Sequence, residues 1–352
     1  MFKRKERYGV LVSLTDHCIQ LARLQLDERP LVVDAFHETA TNDEEGITRW
    51  LRESFPEHTS GYLPGYCTFY PADRLFIREA LNTRRLAEPA YVAGLVAEHA
   101  KIPSAKEWQI AALHAAEGLP LTPDSTQRAA LLIGVPWASV RDAQQRLRKW
   151  GIRPRRLELG TLALLGGINR HLALNAYPDA IAVCEIAHSY TRIYLLGKDG
   201  VHTPPPLPHG LLSIEEAAMK ELAAPDVATA LRQLEAQPES LRAHSRRLVR
   251  MLSRHLRPAI DYFEMQTGQR IGGLFCAHLP YRLAWLEEAL ATAVDLDFFK
   301  PDFATWLPAV GLKTSDGSAP SPAWFQPMSV IAQLASSAPA PAPAAPVHEQ
   351  KT

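Results

Sequence analysis

The chain has little of what marks several large classes of protein. Only four of its 352 residues are cysteine, at Cys18, Cys67, Cys184 and Cys276. They form no C-x-x-C pair and have no histidine at ligand spacing, so neither a disulfide framework nor a zinc site is expected, and a reducing compartment fits. An excess of one charge is also missing: Lys+Arg and Asp+Glu stand at 38 each. A general nucleic-acid or anionic-lipid binder needs a basic surplus, so any such contact would have to come from a local patch. No run approaches the ~18 continuous apolar residues of a membrane-spanning helix. The start, Met1–Arg7, is basic, but Val10-Leu11-Val12 gives way to Ser13, Thr15, Asp16 and His17. That pattern predicts a first β-strand, not an export signal.

What is present is ordinary globular material. Apolar residues make up 47% and charged residues 22%, enough for a buried core, and at ~150 residues per domain the length suggests two domains. The strand pattern opens with Gly9–Leu14 and Ile19–Leu24 around the turn Thr15–Cys18, then Leu31–Ala35. A helix follows with Ile47, Trp50, Leu51 and Phe55 on one face. Ala129–Val135, Ala138–Trp150 and Arg155–Leu159 read as strand, helix and strand, with Gly151 closing the helix and Trp150 buried beside it. Thr161–Leu174 is a further apolar helix.

The opening pattern then recurs roughly 170 residues on. Ala180–Ile186 and Arg192–Leu196 flank the polar turn Ala187–Tyr190, and a third strand follows the Asp199-Gly200 turn. This spacing is too long for a solenoid and suits a duplicated α/β domain. Leu211–Leu234 is helical with a break at Pro225. Glu239–Gln266 reads as one long helix, kinked at Pro258, with six arginines from Arg242 to Arg257 and no acidic residue between Glu239 and Asp261. Gly272–Ala277, Arg282–Thr292 and Val294–Phe299 read as strand, helix and strand. Residues 315–352 are rich in Ala, Pro and Ser and are expected to be largely disordered, so truncation after Thr314 should leave a folded body. Within them, Trp324–Leu334 is the one apolar segment, either a docking peptide or a last helix.

Two hairpin-led halves with a long helix and a late strand–turn–helix are the plan of the superfamily that holds actin, the sugar kinases and the heat-shock chaperone ATPases. Within it the chain resembles the PilM-like assembly proteins of type IV pili and secretion systems, with FtsA-like proteins further off. Four places carry the resemblance: the basic leader with Gly9–Leu24, Glu98–Pro103 followed by Glu107, the unit Ala129–Leu159, and the second hairpin Ala180–Gly200. It implies an actin-like (ribonuclease H-like) duplicated α/β fold. Its parts would be a first subdomain over 1–75 with part of 159–178, an inserted subdomain over 76–158 and a second half over 179–314.

The resemblance also implies where a nucleotide would sit, and the departures fall there. Active members begin each phosphate hairpin with Asp-x-Gly, because glycine lets backbone amides approach phosphate. Here Ser13 and Thr15 hold those places in the first hairpin, with Gln20 where a lysine is frequent. Glu185 and Ala187 hold them in the second, and Cys276-Ala277-His278 replaces the Gly-Gly turn near adenosine. Glu185 alone makes a weak metal site, and His188 and His278 have no nucleophile or orienting partner. These eight positions, Ser13, Thr15, Gln20, Glu185, Ala187, Cys276, Ala277 and His278, therefore define a degenerate cleft with no catalytic residue and no metal. No cofactor is expected, with ATP and magnesium admitted only if the cleft stays competent.

The implied function is a cytoplasmic scaffold at the inner face of the inner membrane. Its partner would be the short cytoplasmic tail of a PilN-like bitopic membrane protein, held between residues 1–75 and 76–158, with other pilus or secretion platform proteins around it. A peripheral membrane contact through the basic leader or the arginine helix is a further expectation; nucleic acid is not. An ATPase or kinase of the same superfamily would need the missing phosphate loops. An FtsA-like membrane tether would need a longer, more charged terminal helix than Trp324–Leu334.

Overall fold

The computed structural model describes residues 6–337 except 59, 89, 103 and 237–241. The leader Lys3-Arg4-Lys5, the Ala/Pro-rich end from 338 and the expected helix start at 239–241 lie outside the described residues.

Two mixed sheets repeat one plan. The first half runs β1 (Tyr8–Leu14), β2 (Cys18–Gln25), β3 (Leu31–Ala40), α1 (Glu44–Ser54) and β4 (Leu63–Phe69). The second runs β9 (Ala180–Ile186), β10 (Thr191–Gly197), β11 (Gly200–His202), then α5 (Leu211–Glu221), α6 (Val227–Ala236), α7 (Ser245–Leu248), α8 (Arg250–Thr267), β12 (Ile271–Ala277), α9 (Trp285–Ala293) and β13 (Asp297–Phe298). In each sheet the first strand pairs antiparallel with the second and parallel with the fourth. With β8 (Ile152–Leu159) and β14 (Leu312–Thr314) added to the first sheet, the strand orders are β14-β3-β2-β1-β4-β8 and β11-β10-β9-β12-β13. Runs such as Val10-Leu11-Val12 and Ile181-Ala182-Val183 are buried on both faces, as continuous apolar strands require.

Between β4 and β8 (Ile152–Leu159) lies the insertion: β5 (Leu75–Ala80), α2 (Tyr91–Ala100), β6 (Trp108–His114), β7 (Ala129–Pro136) and α3 (Trp137–Lys149). Its sheet is antiparallel in the order β5-β7-β6. Trp150 is buried at the end of α3, and Gly151 takes a left-handed φ of 73°.

Four boundaries differ from the sequence reading. The strand–helix–strand unit 129–159 is split, because β8 pairs parallel with β4 in the first large sheet. The insertion proper therefore ends near α3, not at 158. The hydrophobic pattern of β8 gives its faces but not its partner, and the crossover through α3 decides it. Secondly, β14 (Leu312–Thr314) pairs with β3, so the first sheet, not the second half, takes the chain after α10 (Phe303–Ala309). Thirdly, the long arginine helix is interrupted at Val249, and Pro258 lies inside the helix that follows.

The fourth concerns the tail. Residues 315–337 are ordered, and α11 (Phe325–Ser337) packs on α4 (Gly160–Leu174). Phe325, Met328, Val330 and Ile331 are fully buried and Trp324 nearly so. Local composition is diluted by Ala, Ser and Pro, yet these large apolar side chains suffice once α4 offers a matching face. Gly167 of α4 permits the close approach: a Cβ there would lie 2.2 Å from Ser329 Oγ.

Candidate functional site

The eight cleft positions do converge between the two halves, and all eight side chains are buried. The two hairpin turns touch. His17 Nε2 lies 3.2 Å from the Ile186 carbonyl, and its ring centroid is 6.5 Å from that of His188. Thr15 Oγ1 donates to its own turn at Cys18 O, 2.9 Å away. Gln20 Nε2 donates to Glu38 Oε2 at 2.9 Å and reaches the Ala323 carbonyl at 3.4 Å.

Glu185 is the acidic member, and its partner was not legible in sequence. Arg74, in the turn leaving β4, ion-pairs with Glu185 Oε2, and both side chains are 1–2% exposed. Thr161 Oγ1 donates to Glu185 Oε1 at 2.6 Å, Arg74 Nε donates to that hydroxyl at 3.1 Å, and Arg74 Nη1 donates to Pro71 O at 2.8 Å. Burial alone would raise the Glu185 carboxyl; the Arg74 guanidinium and the Thr161 hydroxyl hold it below the ordinary range. Both Glu185 oxygens are thus engaged by the chain's own groups.

The end of the cleft at Cys276–His278 is equally filled. His278 keeps the left-handed φ of 72° that favours glycine, and its ring packs edge-on to Tyr70 at 4.2 Å. Burial lowers its pKa to about 4, so the imidazole is neutral, and its Nε2 has no partner among the described residues. Glu287, pushed up to about 8 by burial, faces the same space. Pro322, Ala323 and Gln326 close it from the C-terminal side and leave about 20 Å³. A small-molecule site needs roughly 300–1,000 Å³, while 20 Å³ holds about one water. In this conformation the space at that end is far smaller than a nucleotide base needs.

A roomier cavity, about 410 Å³, lies between the insertion and the sheet of the first half. One wall is the insertion's sheet, with Leu113, Leu131 and Ile133; the other is Leu157 of β8 and Leu162 and Leu165 of α4. β8 ends its sheet, and three consecutive residues, Leu157, Glu158 and Leu159, line the cavity. Burial raises the Glu158 carboxyl, with Arg156 ion-paired beside it. Gly197, Gly200 and Val201 of the second half complete the rim. That corner is clasped by Arg78, which donates to Asp199 Oδ2 at 2.8 Å and Val201 O at 2.9 Å, and by Val201 N donating to Ala115 O at 2.9 Å. Gly200, at φ 105°, is required there: a Cβ would meet the Ala115 carbonyl at 2.3 Å.

This arrangement of halves, insertion and returning helix recurs in a solved structure. A chain of a PilM–PilN type IV pilus biogenesis complex superposes with a TM-score of 0.68 and 15% identity, over 95% of this chain and 99% of that one. The fold is PilM-like and actin-like. Weaker likenesses extend to the ethanolamine utilization protein EutJ from Carboxydothermus hydrogenoformans (TM-score 0.45, 11% identity, 92% and 88% covered). They also include the cytoplasmic domain of EpsL, an inner membrane component of the type II secretion system of Vibrio cholerae (TM-score 0.37, 12% identity, 62% and 75% covered). At those scores neither carries an argument. No family model matches the sequence, and no curated protein does. Among the described residues no helix is long and apolar enough to cross a membrane, and no group of three or more His, Cys, Asp or Glu is placed to hold a metal ion. The PilM-like fold puts the eight expected positions in one place; Arg74, Thr161, His17, Tyr70 and Gln326, which fill that place, were not singled out by spacing.

Proposed function

We propose that the protein is a non-enzymatic scaffold of a type IV pilus-like or secretion assembly platform. It works at the inner face of the inner membrane and holds the cytoplasmic tail of a PilN-like membrane protein. The observation that carries the reading is the 410 Å³ apolar groove between the insertion and the first half, in a chain with the fold of one from a PilM–PilN complex. An extended peptide suits it. The edge of β8 supplies main-chain hydrogen bonds, and the apolar walls take alternate side chains. Calorimetric titration with the synthetic tail peptide should give micromolar binding. Leu157→Asp and Leu162→Asp, each placing a charge in an apolar wall, should weaken it at least tenfold in protein shown by circular dichroism to remain folded. Binding that ignores both substitutions would remove the groove from the proposal.

The closed cleft supports a protein without ATP turnover. Charge-assisted contacts to phosphate contribute ~1.5–3 kcal/mol each, so losing two or three weakens binding by two decades or more. Mg-ATP should bind no tighter than the millimolar range, with no hydrolysis, whether or not the peptide is present. Micromolar affinity in either condition would revive an ATP-driven switch.

A further inference from the structure

The arginine-rich stretch has no part in the groove or the cleft, yet it forms a distinct surface. In α8, Leu252, Leu256, Ile260 and Phe263 face the core. The opposite stripe, recurring at helical spacing, presents Arg250, Met251, Arg254, Pro258, Tyr262 and Met265, with Asp261, the ion-pair partner of Arg257, among them. Met251, Tyr262 and Met265 are among the large apolar side chains left in solvent, and Met265 is 76% exposed. Arg246 and Arg247 of α7 extend the basic end.

The charge there is not cancelled locally. Glu221 pairs with Arg247, and Asp261 and Asp295 pair with Arg257. Arg246, Arg250 and Arg254 have no acidic partner among the described residues, and no acidic residue lies between 239 and 261 in sequence. In a chain whose net charge is zero, this is a concentrated cationic patch.

We infer that the outer face of α7–α8 docks on an anionic lipid surface. Three unpaired arginines complement anionic headgroups, and the same stripe continues into a tyrosine and two long unbranched apolar side chains. Nucleic acid or an acidic peptide would answer the arginines but leave Met251, Tyr262 and Met265 in water. A bilayer interface accepts both: tyrosine settles at headgroup depth and methionine just below it. The contact is weak and peripheral, since each basic residue near an anionic surface is worth about a fivefold gain in binding.

The test is flotation of the full chain with vesicles of phosphatidylcholine alone and with 30 mol% phosphatidylglycerol, at low and high salt. Binding is expected only with phosphatidylglycerol, reduced by salt. R246Q/R250Q/R254Q should lower it roughly 100-fold, and Y262S/M265S should lower what persists at higher salt. All these side chains are exposed, so Tm should not move. Absence of binding to the anionic vesicles, or binding unaffected by the arginine triple variant, overturns the inference. So does binding to polyglutamate that survives Y262S/M265S while vesicles are not bound, which would assign the face to an acidic protein. None of these residues lines the groove, so tail-peptide titration with the same variants stays unchanged and keeps the two proposals separate.

Discussion

An Arg74→Ala variant will unfold about 3–5 kcal/mol more easily than the parent, the usual cost of stripping one partner from a buried ion pair. The pair joins three parts of the chain: the turn that leads into the insertion, the start of α4 through Thr161, and the end of β9. Without the guanidinium, Glu185 keeps only the Thr161 hydroxyl in a site that water does not reach. Its carboxyl, now held below the ordinary range, would move above it. The sign of the pH dependence then follows. In the parent, a depressed pKa gives stability that is present above the unfolded carboxylate value of about 4.3 and lost as pH falls. In Arg74→Ala the pKa is raised, so this contribution is complete below that value and lost as pH rises. The variant should be more stable near pH 5 than near pH 8 in chemical denaturation, relative to the parent. Arg74→Met with Glu185→Leu should recover most of the loss, because a buried pair is often replaceable by apolar groups of similar size. A single Arg74→Ala variant with unchanged denaturation midpoint would show that water, not the guanidinium, satisfies Glu185.

The ion pair also shows how far sequence can be read. The halves were legible because each begins with an apolar hairpin around a polar turn, and that pattern needs only local spacing. Ser13, Thr15, Glu185, Ala187 and Cys276–His278 were reached through the family resemblance, which gives a role to those places in each hairpin and in the late turn. Arg74 was not, since an arginine after Pro71-Ala72-Asp73 looks like any exposed turn residue; only the meeting of two sheets buries it. His17 is a similar case, a turn histidine whose partner, the Ile186 carbonyl, lies 169 residues away. β8 has faces that alternation reveals, while the three residues of β14 are too few to show a strand period, and the sheet partners of both come from crossovers of the whole chain. The tail failed for a different reason. Its composition averages over Ala, Pro and Ser, while its burial rests on five large side chains facing a complementary helix.

These contacts bear on how the protein acts. Hairpin turns bonded to each other, an internal cation on Glu185 and a terminal segment across the Cys276–His278 end tie the halves together. The proposed scaffold would then need no nucleotide cycle to keep its groove formed. The rim is fixed through the same second half, by Arg78 on Asp199 and Val201.

Truncation after Thr314 is the other change with a large effect, and it should cost the protein its cooperative fold. Phe325 sits among Trp306, Phe303 and Phe275, with ring centroids 4.7, 6.1 and 5.9 Å away, so one side chain bridges α10 and the second half's β12. Met328 and Ile331 are buried in the same core, and Trp324 packs edge-on to Phe36 at 4.7 Å. At ~1.5–3 kcal/mol for each fully buried apolar side chain, Trp324, Phe325, Met328, Val330 and Ile331 together contribute on the order of 10 kcal/mol. That matches the whole stability of a typical domain, about 5–15 kcal/mol. Loss of the segment also uncovers Gln20 and the space beside Cys276, both now sealed by Pro322–Gln326. The truncated chain should therefore lose its cooperative thermal transition, and Cys276, inert when buried, should react with thiol reagents. Since a chain that fails to fold gives little detail, Gly167→Val in the full-length protein supplies the graded version. Its added methyl groups strike Ser329 and push α11 from α4, lowering stability by about 1–3 kcal/mol as overpacking does. It should also raise Cys276 reactivity without removing any residue. If the truncated chain melts cooperatively near the parent's Tm and Cys276 stays unreactive in both variants, α11 is an appendage and the body is complete without it.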